Sequence, residues 1–363
     1  MTGLLPKGFH DLLPPLADAA ARFEGAVLGA AFAHGYERAD PPLAEFEETL
    51  AGRLKSHGAA QAVRFIDPVS GRMLAIRPDI TSQIGRIAAT RMAHHPRPVR
   101  LSYAGPVLLL AGSELRPERA RRQLGCELIG LDSVAAVREI VGVAVEALHA
   151  AGCTALTIDL TLPDLVDTLA NGRDAATVEA LRDRLDAKDA GGVAEIDASF
   201  LPLIDAAGPF DQAIERLRAL DTDGVLASRI EALIAIAEGV GDRAALTLDP
   251  TERHGFEYQS WFGFSIFADG AREEIGRGGT YAIVADGREE AAVGFSLYVD
   301  AVLEAGIVTA ERRRLFVPPG SDSAAVARLR GEGWVTVAAL DEGDSAEAQA
   351  CDHIMGTTGP RRV

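Results

Sequence analysis

From about residue 99 onward the chain offers a succession of short apolar segments of strand length, and several follow one another with no helical segment between them. The segments are 99–103, 107–110, 123–130, 155–160, 244–249, 262–268, 280–284 and 291–296. A doubly wound parallel sheet needs a crossover helix after each strand, so this order disfavours it. The expected body is instead α+β, with largely antiparallel strands and helices between only some of them.

Helical periodicity fills the remaining segments. Leu16, Ala19, Phe23, Val27 and Ala30 follow helical spacing across 15–34, and Gly35 suits a C-terminal stop. A short strand is expected at 36–40, ended by Pro41-Pro42, and a hairpin at 65–76 turning through Asp67–Gly71. Asp79 and Thr81 are candidate caps of a helix over 78–92, and Asp132 or Ser133 of one over 132–152. Residues 163–241, rich in Ala, Leu, Asp and Arg, read as a helical insertion, and 297–305 as a further helix. Beyond 312 comes a βαβ order: a strand at 315–317, a helix at 323–330, a strand at 335–339 and a last apolar segment at 351–355. The expected division is a core of 1–310 carrying the insertion, and a small α/β tail of 311–363.

An apolar fraction of 48% over 363 residues suffices for a buried core. No apolar run approaches the 18 or so residues of a membrane span, and the start lacks the layout of a secretory signal. Cys126, Cys153 and Cys351 form no paired spacing and are expected as free buried thiols of a reducing cytoplasm. The eight histidines show no zinc pattern. A formal charge of −17 opposes a nucleic-acid partner, with basic runs only at 116–122 and 312–314.

Four polar stretches interrupt the apolar elements: Arg77-Pro-Asp79-Ile-Thr81, Gln123-Leu-Gly-Cys-Glu127, His254-Gly-Phe-Glu-Tyr258, and Gly276-Arg-Gly-Gly-Thr-Tyr281, the last read as a glycine-rich turn. Gln123 and Glu127, four apart on a strand, point to one face. With Asp79 they would hold an ammonium group by charge-assisted hydrogen bonds, and Tyr258 and Tyr281 would wall the pocket. Each residue taken singly has an ordinary alternative: Glu127 solvated or paired with an arginine, Asp79 a helix cap, the glycines a turn. No nucleophile constellation and no phosphate-binding lysine loop accompanies them.

In order and spacing these stretches resemble class II aminoacyl-tRNA synthetases, specifically histidyl-tRNA synthetase. Gly35-Tyr36 through Pro41-Pro42 is similar to the first motif, and Tyr103-Ala-Gly-Pro106 through Gly130 to the second. His254–Tyr258 and Gly278–Tyr281 resemble the two histidine signatures, and Ala292–Phe295 the entry to the third motif. The resemblance covers roughly 5–305 and implies a class II synthetase-like antiparallel sheet flanked by helices. It also marks losses: synthetase arginines fall at Leu109, Ala301, His254 and Thr280, and a signature tyrosine at Gln259. Adenylate formation relies on such guanidinium groups.

A paralogue with those losses, and with a tail about half the length of an anticodon-binding domain, resembles the family of regulatory subunits of short-form ATP phosphoribosyltransferase. That resemblance implies a cytoplasmic, non-catalytic homodimer within a hetero-oligomer with the catalytic subunit, feedback inhibition by histidine, and no cofactor or metal. The implied effector residues are Asp79, Thr81, Gln123, Glu127, Tyr258 and Tyr281. The alternatives are an RNA-binding or sensing module of the same fold, or an active synthetase.

Overall fold

In a computed structural model describing residues 4–51, 62–112, 117–253, 259–285, 287–308, 312–341 and 343–363, the chain forms two compact units, Met1–Val308 and Thr309–Val363. In the first, strands β1 (Glu37–Arg38), β2 (Ala44–Phe46), β3 (Val63–Ile66), β4 (Met73–Ile76), β5 (Val99–Leu108), β6 (Ala120–Ile129), β7 (Leu156–Thr161), β8 (Gly208–Pro209), β9 (Ala245–Leu248), β10 (Gln259–Ala268), β11 (Gly276–Ala285) and β12 (Arg288–Tyr298) build two sheets. The large sheet has the order β1-β5-β6-β12-β11-β10-β7-β9-β8. Only the β1–β5 and β7–β9 pairs are parallel, so the sheet is antiparallel through its centre. Strands β2, β4 and β3 form a small antiparallel sheet, its β3–β4 hairpin turned by Asp67, which accepts from the backbone of Val69 and Ser70.

The helices are α1 (Leu16–Ala33), α2 (Glu47–Ala51), α3 (Thr81–Thr90), α4 (Val134–Ala150), α5 (Leu165–Leu169), α6 (Ala175–Asp186), α7 (Ala190–Asp197), α8 (Pro202–Asp205), α9 (Phe210–Leu220), α10 (Ala227–Val240) and α11 (Val299–Glu304). In α1, Ala19, Phe23, Val27 and Ala31 recur on one stripe and are buried. The helix stops where Gly35 takes a positive φ and Tyr36 N–H returns to Ala31 O at 3.1 Å. Helix α4 starts at Ser133, whose hydroxyl accepts from Ala136 N–H, and stops the same way, with Cys153 N–H on Leu148 O at 2.9 Å beside positive-φ Gly152. Helices α4 and α1 pack together, and α10 packs on α4, covering one face of the sheet; α3 lies on the other.

Three strand expectations are corrected. Residues 99–103 and 107–110 are not separate strands: Gly105-Pro106 is absorbed in the continuous β5, because Pro106 faces Arg122 and Val107 faces Arg121 in register. Gly276–Tyr281 is not a turn but the first part of β11, paired residue for residue with β12. The expected strand at 36–40 is only the two residues of β1.

In the second unit, β13 (Arg314–Val317), α12 (Ser323–Gly331), β14 (Val335–Ala338), β15 (His353–Gly356) and β16 (Gly359–Arg362) form a sheet of order β14-β13-β15-β16. The final antiparallel hairpin strand β16 had no apolar signal. Phe316, Ala346 and Cys351 make its core. Among the described residues, no helix is long and apolar enough to cross a membrane.

Phe23, 1% exposed, is a main contribution of α1 to the interior. Phe23→Ala should lower unfolding free energy by roughly 3–5 kcal/mol in urea titration; a loss under about 1 kcal/mol would contradict the packing described.

Candidate functional site

Directly opposed residues of an antiparallel pair share a face, and residues two apart along a strand share it too. The register therefore sets three lines of side chains on the α3 face of the sheet. One runs Tyr103, Gly125, Ser296, Arg277 and Ser265 across β5, β6, β12, β11 and β10. The next runs Leu101, Glu127, Gly294, Gly279 and Gly263. The third runs Ile129, Ala292, Tyr281 and Gln259. Three adjacent glycines leave a bare strip, a trough into which neighbouring side chains lie down. A Cβ on Gly294 would stand 1.7 Å from Glu127 Oε2, and one on Gly279 2.4 Å from the Gln259 amide, so only glycine admits these side chains.

A buried polar network lines the β5–β6 end of this trough. Tyr281 donates to Glu127 Oε2 at 2.7 Å and Tyr103 to Glu127 Oε1 at 3.2 Å. The Tyr103 hydroxyl also meets Ser296 Oγ at 2.9 Å and Thr81 Oγ1 at 3.1 Å. Gln123 Nε2 donates to Asp79 Oδ2 at 2.6 Å and Ser296 Oγ at 2.8 Å, while its Oε1 accepts from Ile80 N–H at 2.9 Å. Gln123 is thereby oriented at both ends. Asp79 accepts from the backbone of Thr81 and Ser82 at the start of α3, where the helix dipole favours a carboxylate.

The turn carrying Asp79 is set by Arg77, a buried cation that donates to three neutral acceptors. Its Nε bonds Pro106 O at 2.8 Å, and its Nη1 bonds Pro41 O at 2.8 Å and Gln83 Oε1 at 3.3 Å. Gly105 makes room for it, since a Cβ there would fall 2.2 Å from the guanidinium.

Among the described residues no lysine, arginine or histidine bonds to Glu127 or Asp79. Burial therefore pushes Glu127 up to about 8, with the charge of Asp79 adding to the rise and the hydroxyls of Tyr281, Thr81 and Tyr103 opposing it. Burial likewise raises Asp79, against hydrogen bonds from Gln123 and Thr81. Burial, then the two acids, push the Tyr103 phenol well up, so it stays a hydroxyl donor. Such a set presents acceptors to a cationic or N–H-rich ligand and, among its described members, no cation to a phosphate.

Of the candidate residues, Asp79, Thr81, Gln123, Glu127 and Tyr281 come together. Tyr258, with the whole 254–258 stretch, lies outside the described residues. Tyr103 and Ser296 were missed: each stands in an apolar strand, and only the register reveals that they face the acids. Thr280 belongs to the opposite face, where its hydroxyl accepts from Phe262 N–H at 3.1 Å and Trp261 N–H at 3.2 Å. An arginine at that position would leave the trough untouched. Leu109, whose backbone pairs with Arg119, and Ala301 on α11 supply no side-chain donor.

Residues 8–302 match the sequence profile of the family described as histidyl-tRNA synthetase. The ATP phosphoribosyltransferase regulatory subunit of Rhodospirillum centenum is 44% identical, over 97% of this chain and 94% of that one. The chain belongs to the ATP phosphoribosyltransferase regulatory subunit family. A Bacillus halodurans structure described as an ATP phosphoribosyltransferase regulatory subunit/histidyl-tRNA synthetase superposes with a TM-score of 0.79 at 20% identity, covering 96% of each chain. A chain of the ATP phosphoribosyl transferase (HisG:HisZ) complex from Thermotoga maritima gives 0.62 at 19% identity, covering 77% of this chain and 97% of that one. At these identities the likeness is one of fold, and it makes the large antiparallel sheet a class II synthetase sheet.

A carboxyl whose folded pKa exceeds its unfolded value stabilises the fold fully below the unfolded pKa, and that contribution is lost as pH climbs through the folded one. For Glu127 the window runs from 4.5 to about 8. Glu127→Gln mimics the protonated form, so its stability relative to the parent should rise across this window, by on the order of a few kcal/mol at its top. Urea titrations at a series of pH values test this; a difference independent of pH counts against a neutral Glu127.

Proposed function

We propose that this chain is the non-catalytic regulatory subunit of ATP phosphoribosyltransferase, acting at the first step of histidine biosynthesis in the cytoplasm. It assembles as a homodimer within a hetero-oligomer containing the short-form catalytic subunit, raises that subunit's activity, and carries histidine as feedback effector. The observation that carries this reading is a contrast within one site. Five of the six candidate residues come together around Glu127, while Leu109 and Ala301 occupy positions where the resemblance to the synthetase expects phosphate-binding arginines. Adenylate formation builds negative charge on phosphate oxygens, and each lost donor of that kind costs on the order of 10²–10³ in rate. Amino-acid binding needs none of that chemistry.

Histidine would enter the trough beside Asp79, Thr81, Gln123, Glu127 and Tyr281, with Tyr258 supplied by the signature stretch. Feedback then requires only that the ligand prefer one of two arrangements of the complex, since differential affinity is what shifts an equilibrium.

Mixing the purified chain with a short-form catalytic subunit should yield a complex and a faster transfer of the phosphoribosyl group to ATP, inhibited by histidine. Histidine-dependent pyrophosphate exchange by the chain alone should be absent, and its presence would overturn the non-catalytic reading. Glu127→Ala should weaken calorimetric histidine binding by about tenfold or more, as removal of a charged hydrogen-bond partner does. An unchanged affinity would place the effector elsewhere.

A further inference from the structure

Assigning one more residue to the trough rests on the reading that the trough seats an amino acid. Such a ligand brings a carboxylate as well as an ammonium, and a carboxylate beside Glu127 and Asp79 needs a cation of its own. The position equivalent to one synthetase arginine, Thr280, faces away, and Leu109 and Ala301 carry no charge. The register brings a different cation to this face.

Arg277 lies in line with Tyr103 and Ser296, directly opposite Ser296 on the neighbouring strand, about 5 Å away. It is also two residues before Gly279 on the same strand and so borders the bare strip, about 7 Å along β11. Its Nη2 donates to Glu274, whose other oxygen accepts from Ser265 at 3.1 Å. The guanidinium is thus held with Glu274 and Ser265 in the line of side chains next to the glycine strip, with 23% of the side chain exposed. A guanidinium has five N–H donors in a fixed fork and can serve two carboxylates at once.

A second, independent feature indicates a guest in the same place. The Gln259 side chain lies over Gly279, and its Nε2 donates to Gly278 O at 2.8 Å, yet among the described residues its buried Oε1 has no hydrogen-bond partner. Buried acceptors are rarely left so, and this one awaits an N–H from a ligand.

We propose that Arg277 is the residue that selects a carboxylate on the ligand, so that the trough takes a zwitterionic amino acid in preference to the corresponding amine. Arg277 and Glu127 then read opposite charges of one molecule, Glu127 from the β6 end of the glycine strip and Arg277 from its flank on β11.

Calorimetry of the purified chain with histidine and with histamine, which keeps the imidazole and ammonium but lacks the carboxylate, separates the two claims. The parent should prefer histidine, and Arg277→Met should lower histidine affinity about 10- to 100-fold while leaving histamine within about twofold. Arg277→Lys, which keeps the charge and loses the fork, should fall between them. A histidine-to-histamine ratio unchanged in both variants overturns the assignment of Arg277, as does an equal loss of both ligands. Failure of the parent chain to bind either ligand overturns the underlying reading of the trough instead.

Discussion

A carboxyl group buried, among the described residues, without a cation organises this molecule. Glu127 is 1% exposed, lies flat on Gly294, and is held by the hydroxyls of Tyr103 and Tyr281. Burial of an ionised carboxylate is costly unless it is paired, so the group takes its neutral form or waits for a positive partner. Everything around it accommodates that demand. Strand β5 contributes Tyr103, β11 Tyr281, β12 the glycine and Ser296, and the start of α3 the second acid, Asp79. Moving any one strand by a single residue would flip its contribution to the other face and leave the acid against apolar groups.

On the proposed reading, the same arrangement would let a synthetase-like scaffold part with chemistry and keep recognition. On that reading amino-acid binding would draw on hydroxyls, an amide and acids set in the centre of an antiparallel sheet, where register holds them rigidly. The triphosphate-binding cations that the resemblance to the synthetase implies would sit at the periphery, on the approach to β6 and on the helix after β12, where Leu109 and Ala301 stand. Those peripheral positions carry no part of the buried network, so their loss does not disturb it. The charge of −17 also fits a chain that meets a protein and a small molecule more readily than an RNA backbone.

Much of this was legible in the chain. The order of strands without intervening helices established an α+β body, and the helical block at 163–241 became α5 to α10, interrupted by the two-residue β8. Helix ends at Gly35 and Gly152 were readable because positive φ is a local property of glycine. The spacing of Gln123 and Glu127 placed both on one face through the period of two, which is equally local. By contrast, Gly276–Tyr281 read as a turn because glycines in a single sequence look alike whether they bend a chain or clear space for a neighbour.

What the sequence by itself determined, then, was which residues alternate along a strand and where helices such as α1 and α4 stop, since both follow from backbone geometry over a few residues. Tertiary structure alone decided which strands are neighbours. That choice put Tyr103 and Ser296 beside the acids, turned Thr280 away, lined Gly294, Gly279 and Gly263 into one strip, and brought Arg277 to its rim. The physical reason is that pairing register couples residues up to 193 positions apart, as between Tyr103 and Ser296, and nothing in the local sequence of either strand encodes its partner.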